Sequence, residues 1–423
     1  MAKGKFVLKG TIELTSPALI GSGNKELTDI DVLLNADNKP FIPATSFIGV
    51  LKDSIKIKGE DKAINEFWGF ADEDNQRQSS IICSDLYSIE GGIPTISTRD
   101  GIKIDSKTGI VSKGAKYDYQ VVEKGAKFNL NLEAGYKEYN KDFCKRMFAV
   151  IKSALEDERI RIGAKTNSGL GKIKLVDAKF YAFDFSKKED VLRWLKKDFS
   201  HSISLSKESI TDDTFTINAT FRLKNSFIIR DYSDMADSES IKSGNDFVIT
   251  GTSLKGAVRK RAERILNTLG KPEEILKKLF GDVDETNKTA IKGKIQIDEV
   301  VLPKYTSELQ PRIKIDRFTG GTIESALFNS MPLFSKNEEI KNVRITIADY
   351  EDHEAGLILL VLKDLWTGDL AVGGEKNVGR GVFEGFQGEI IWNNKMLTLK
   401  KGLEGLSKED KAELEKFVSA LRD

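Results

Sequence analysis

From Thr11 to Leu14 apolar and polar side chains alternate, the pattern of a half-buried strand, and the alternation returns from Thr220 to Leu223, 209 residues later. Helical spacing runs through KRMFAVIKSALED after Cys144 and through GLILLVLKDLW from Gly356, where apolar residues recur every three or four positions. Thr45 and Ser46 predict the cap of a helix beginning near Phe47, and Thr252 and Ser253 the cap of a helix through LKGAVRKRAERIL. Two amphipathic segments open on a serine that reads as an N-cap, SKKEDVLRWLKKDF from Ser186 and SKEDKAELEKFVSALRD from Ser407. Glycine-rich turns precede the strand-like KIKLVDAKFYAF and VFEGFQGEIIW.

These elements occur twice, in one order. FIPATSFIGVLK, ending at Lys52, is answered 207 residues on by VITGTSLKGAVR, ending at Arg259. RDGIKIDSKTGIV around Asp105 is answered 211 residues on by PRIKIDRFTGGTI around Asp316, and GAKTNSGLG from Gly163 is answered 210 residues on by GGEKNVGRG from Gly373. The chain therefore reads as two copies of one fold joined near residues 200–213, a first module of residues 1–205 and a second of 206–423. The order strand, loop, helix, strands with a hairpin excursion, helix, glycine-rich turn and strand is α+β. It suits two ferredoxin-like or RRM-type modules in tandem, each with loop and hairpin insertions.

Composition narrows the chemistry. With 39% hydrophobic side chains in 423 residues the chain has the material for ordinary buried cores. No apolar run approaches a membrane span and the start lacks a secretory signal's apolar middle, so a cytoplasmic location with no membrane partner is the expectation. Cys83 and Cys144 are too few for a disulfide framework or a four-thiolate metal site, and read as small core residues. His201 and His353 are the only histidines, which leaves little room for imidazole acid–base pairs. A formal net charge of +1 with 31% charged residues means that any phosphate-binding surface must be a local patch.

Such patches are available. Gly163, Gly169 and Gly171 with Lys165 and Lys172, and Gly373, Gly374, Gly379 and Gly381 with Lys376 and Arg380, form loops in which backbone amides and basic side chains suit an anion; a tight structural turn is the alternative. Neither loop has P-loop spacing, and each runs into a strand where a P-loop needs a helix. Lys255 and Arg259, one helical turn apart, can face one phosphate path, beside Lys260, Arg261 and Arg264. After the first strand of each copy lie carboxylates, Asp29 and Asp31 in one and Asp231, Asp234 and Asp237 in the other, which suit a hydrated divalent cation.

Taken in order, SPALIGSG, the two helix starts, the two hairpin segments and the late glycine-rich loops resemble the RAMP superfamily, specifically the backbone subunits of type III CRISPR effector complexes. The resemblance covers nearly the whole chain, twice. It implies an RRM-like core in each copy, a CRISPR guide RNA held by its backbone, a complementary target RNA, and other CRISPR effector subunits as neighbours. It implies RNA contacts at Ser46, Lys52, Lys165, Gly169, Gly171 and Lys172 in the first copy and at Ser253, Lys255, Arg259, Lys376, Gly379, Arg380 and Gly381 in the second. It places thumb hairpins at Asp105 and Lys107 and at Asp316 and Arg317, wedged into the guide–target duplex to flip a base at regular intervals. It assigns target cleavage to Asp31, a possible ligand for Mg2+ or Mn2+, and in the second copy to Asp237, with Asp234 as substitute. Ile48 departs from the family's usual basic residue, which the second copy has as Lys255. A non-catalytic guide-RNA scaffold is the alternative.

Overall fold

The computed structural model describes residues 3–422 apart from 24, 56, 58–59, 72–75, 90–93, 106–107, 109, 209–212, 233–234, 285–286, 303, 336–337 and 401–405. Lys107 and Asp234 thus lie outside the described residues. The architecture is mixed α and β with antiparallel sheets. Contacts divide the chain into two compact units, Met1–Ile102 with Ala115–Thr166 and Leu170–Thr211, and Lys103–Gly114 with Asn167–Gly169 and Asp212–Asp423. Among the described residues no helix is long and apolar enough to cross a membrane.

The first copy is built on β1 (Gly4–Leu14), α1 (Ala44–Ser54), α2 (Asp61–Trp68), β2 (Ile81–Cys83), the hairpin strands β3 (Ile96–Ile104) and β4 (Val111–Val122), β5 (Lys127–Tyr136), α3 (Lys141–Glu156), β6 (Ile173–Asp184) and α4 (Lys188–Leu195). Its sheet has the order β6-β1-β5-β2, every pair antiparallel. Phe6, Leu8 and Ile12 face one side of β1 and meet Cys144, Met147, Phe148 and Ile151, which recur at helical spacing along α3. Aromatic rings pack across neighbouring strands, Phe6 stacking on Tyr136 at 4.5 Å and on Phe180 at 5.4 Å, and Phe148 of α3 meets Phe6 edge-on at 6.3 Å. The opposite face offers Val7, Tyr181 and Phe183, which Trp194 of α4 and Phe199 cover. Burial pushes the Cys144 thiol up to about 11, in keeping with a packing role.

The second unit repeats the plan with β7 (Thr214–Leu223), β8 (Arg230–Asp231), β9 (Ser238–Ser240), α5 (Gly251–Leu269), α6 (Glu273–Phe280), β10 (Ile295–Ile297), β11 (Gln310–Arg312), β12 (Phe328–Met331), β13 (Glu339–Ala348), α7 (Asp352–Thr367), β14 (Phe383–Trp392), β15 (Lys395–Lys400) and α8 (Lys408–Arg422). The sheet order is β10-β13-β7-β14-β15, so the central strand keeps the same neighbours as in the first unit and gains one edge strand. That extra strand redirects the chain. α4 follows β6 through a tight turn and covers the sheet's far face, whereas α8 follows β15 and packs Phe417 on Phe215 at 5.4 Å, in the same core as α7.

Local signals hold in part. Ser407 caps α8 reciprocally with Asp410, the amide of each accepted by the other's side chain at 3.1 and 3.0 Å. Ser186 does not cap α4; Lys187 holds that position and Ser186 N donates instead to Asp184 Oδ1 at 3.0 Å. The other two helices start earlier than their Thr-Ser pairs predict, with Pro43 and Thr250 as N-caps: Pro43, at ψ 135°, has no N–H to satisfy, and the Thr250 hydroxyl accepts from Ser253 N. Ser46 and Ser253 consequently sit inside the first turn of α1 and α5.

Candidate nucleic-acid interface

The two glycine-rich loops follow one backbone path. In the first, Gly163, Lys165, Gly169 and Gly171 have φ of +78, +57, +91 and +78°, with a 3-10 turn over Thr166–Ser168; in the second, Gly373, Glu375, Gly379 and Gly381 have +91, +53, +83 and +73°, with a 3-10 turn over Lys376–Val378. Gly171 N donates to Pro17 O at 2.7 Å and Gly381 N to Ser226 O at 2.8 Å; Ala164 N donates to Leu19 O at 2.8 Å and Gly374 N to Ile228 O at 2.7 Å. A Cβ on Gly171 would stand 1.9 Å from Ile162 O, and one on Gly381 1.8 Å from Val372 O. These amides serve the protein's own carbonyls, so Gly171 and Gly381, expected at phosphates, are instead turn residues set by close backbone approach. Gly171→Ala and Gly381→Ala are each expected to cost about 1–3 kcal/mol from backbone strain, with further loss from the clash; urea unfolding measures it, and wild-type stability in either variant would refute this account.

The repeated left-handed non-glycine position carries opposite charges. Lys165 lies over Tyr117 at 4.4 Å and Tyr119 at 4.7 Å and donates to the Tyr117 hydroxyl at 2.5 Å. Its counterpart Glu375 is buried and receives Arg380 at 2.8 Å, Arg312 at 2.8 Å and Arg230 at 3.2 Å. Arg380 is only 3% exposed and also donates to Ser226 Oγ at 2.5 Å and Gln310 Oε1 at 2.6 Å. Arg380, read from the sequence as a phosphate contact, therefore spends its donors on the protein. Lys172 pairs with Glu158 at 3.0 Å. Lys52 and Arg259 make matching contacts, to the carbonyls of Gly69 at 2.9 Å and Gly281 at 3.4 Å, the glycines that close α2 and α6.

What stays available is concentrated in the second copy. Lys255 and Lys376 have no ion-pair partner among the described residues. Burial, with the Arg259 charge beside it, holds the Lys255 ammonium down to about 8, and burial together with Lys260 lowers that of Lys376. At the corresponding positions the first copy has Ile48, Thr166 and Asp53, so its share of the basic patch is small.

The acidic loop of the first copy is organised around Asp31, which is 7% exposed. Its carboxylate accepts from Glu26 N at 2.6 Å, Leu27 N at 3.1 Å, Thr28 N at 2.8 Å and Thr28 Oγ1 at 2.8 Å, and these donors hold it down to about 2. Two donors on each oxygen leave no lone pair for an ion, so Asp31 as held does not fit a divalent-metal ligand. Among the described residues no group of three or more His, Cys, Asp or Glu is placed to hold one. Exposed Asp29 exchanges contacts with Asp118 of β4, Asp29 N donating to Asp118 Oδ1 at 2.9 Å and Asp118 N to Asp29 Oδ2 at 3.1 Å. In the second copy Asp237 accepts from Asn329 N of β12 at 2.6 Å.

The hairpin tips are also duplicates. Asp105 N donates to Ile110 O and Asp316 N to Gly321 O, both at 2.9 Å, while their carboxylates accept from Thr108 N at 2.6 Å and Thr319 N at 2.8 Å. The two aspartates build the turns. Arg317 is exposed beside Phe318, which sequence reasoning passed over and which is 98% exposed at the second tip.

A family model described as the RAMP superfamily matches residues 11–174 and 235–384. No curated protein matches the chain.

Proposed function

The chain belongs to the RAMP superfamily, and on that premise we propose that it is an RNA-binding backbone subunit of a type III CRISPR effector complex, made of two ferredoxin-like modules in tandem, residues 1–205 and 206–423. The observation that carries this reading is the patch of Lys255, Lys260 and Lys376, where the half-buried Lys255 and the exposed Lys376 lack carboxylate partners among the described residues and await an anion. Phosphate oxygens of a guide strand supply it, and guide pairing then reads the target sequence. The hairpin tips, with Phe318 outermost in the second, suit insertion between bases of the guide–target duplex.

The reading extends to target cleavage beside each displaced base, where unstacking lets the ribose 2′-oxygen attack the adjacent phosphorus as the P–O5′ bond breaks. The 2′-hydroxyl proton passes to solvent and the leaving 5′-oxygen takes one from solvent. Asp31, held down to about 2 with two donors on each oxygen, is too weak a base to take the 2′-hydroxyl proton; it acts by holding residues 26–28 against the strand. The same saturation of Asp31 favours a second reading, a scaffold that holds guide and target without cutting. Mapping cuts in a labelled complementary RNA by the guide-loaded complex, with magnesium or manganese and with chelator, separates the two. Asp31→Asn is expected to lose one cut per chain while target binding holds within about twofold; unchanged cuts leave the scaffold.

A further inference from the structure

Strand pairing, rather than counting along the chain, fixes which residue of the second copy stands where Asp31 stands in the first. Leu33 N donates to Ile20 O at 2.8 Å, and Ile241 N to Ile229 O at 2.9 Å. Gly21 is bridged to Val32 as Arg230 is paired with Ser240. Ser22 N donates to Asp31 O at 2.9 Å, and the residue paired with Asp231 is Glu239. Two further matches keep this register. Asp29 accepts from the amide of residue 118 as Asp237 accepts from that of residue 329, on the hairpin's returning strand in each copy. Two residues before each of these aspartates stands a large apolar side chain open to solvent, Leu27 at 80% and Met235 at 75%.

We propose that Glu239, and not Asp237, is the second copy's equivalent of Asp31, and that Asp29 and Asp237 are the paired straps tying each acidic loop to its hairpin. Glu239 is half-buried and carries the carboxylate at the matching backbone position. Asp237 has a different employment, since its Oδ2 is taken by the Asn329 amide at 2.6 Å. The proposal rests on the cleavage reading above and deepens it: Glu239 is a positioning residue for the second cut, the same transesterification at a second displaced base.

The test is the cut map of a labelled complementary RNA with guide-loaded complexes carrying Asp31→Asn, Glu239→Gln, Asp237→Asn, or Asp31→Asn with Glu239→Gln. Glu239→Gln is expected to remove the cut that survives in Asp31→Asn and to spare the other. The double variant removes both, with target affinity within about twofold of wild type. General unfolding would erase both cuts in every variant and cannot mimic this pattern. Asp237→Asn keeps an acceptor for the Asn329 amide and is expected to slow the second cut by less than about tenfold. The assignment is overturned if Glu239→Gln leaves the second cut in place, if Asp237→Asn is as damaging as Glu239→Gln, or if wild type makes only one cut per chain. Cuts unchanged in Asp31→Asn sink the cleavage reading itself, and this assignment with it.

Discussion

An Arg380→Met chain is expected to lose about 3 kcal/mol of stability, the lower end of what removing one partner of a buried ion pair costs. Arg312 and Arg230 still reach Glu375, which keeps the loss from being larger, but Ser226 and Gln310 lose the guanidinium they accept from. Lys165→Met, at the first copy's counterpart of Glu375, removes a cation over two rings and should cost about 1 kcal/mol. Urea unfolding of the two variants compares them, and equal losses would mean that the arginine network is not the loop's anchor. Acid supplies a second check. The three guanidinium groups hold Glu375 below its ordinary range, so its contribution is complete above the unfolded carboxylate's range and disappears as pH falls through the lowered native value. Wild type should therefore lose more stability between neutral pH and pH 3 than a Glu375→Gln chain does.

That network shows where the sequence stops being readable. The doubled plan was visible because glycines needed at positive φ and apolar residues at strand or helix spacing leave marks within a few positions. Arg380 looked like a surface cation because its hydroxyl and amide acceptors lie 154 and 70 residues away. Gly171 and Gly381 looked like phosphate-binding turns for the same reason, their amides being taken by carbonyls of a distant segment. The charge reversal between Lys165 and Glu375 could have been seen in the alignment of the two copies, and it pointed to different anchors. The acidic loop was misaligned by a different mechanism. Counting back from the helix with an offset of 207 lands between Asp237 and Glu239, because loops absorb a one-residue change at little cost. Paired strands do not, and their register names Glu239.

Guide RNA affinity is expected to fall as pH rises above 8, by about tenfold per pH unit for one proton taken up on binding, and Lys255 is the group responsible. In the free chain its ammonium sits at about 8, because it is half-buried beside Arg259. A phosphate oxygen beside it favours the charged form, so the bound value is higher and binding draws a proton from solution between the two. Lys255→Met removes this slope, and with one phosphate contact gone it lowers the salt dependence of binding by about 0.7 in log–log slope. Lys255→Met with Lys376→Met should lower it about twice as far. Stability moves the opposite way. Folding depresses the Lys255 value, so wild type gains stability as pH rises from about 8 toward the ordinary lysine range, and Lys255→Met removes that rise without adding instability at neutral pH. Weaker RNA binding by a chain that unfolds no more easily would place the defect at the phosphate. A wild-type affinity that is flat from pH 7 to 9, or one whose slope survives in Lys255→Met, would remove Lys255 from the interface.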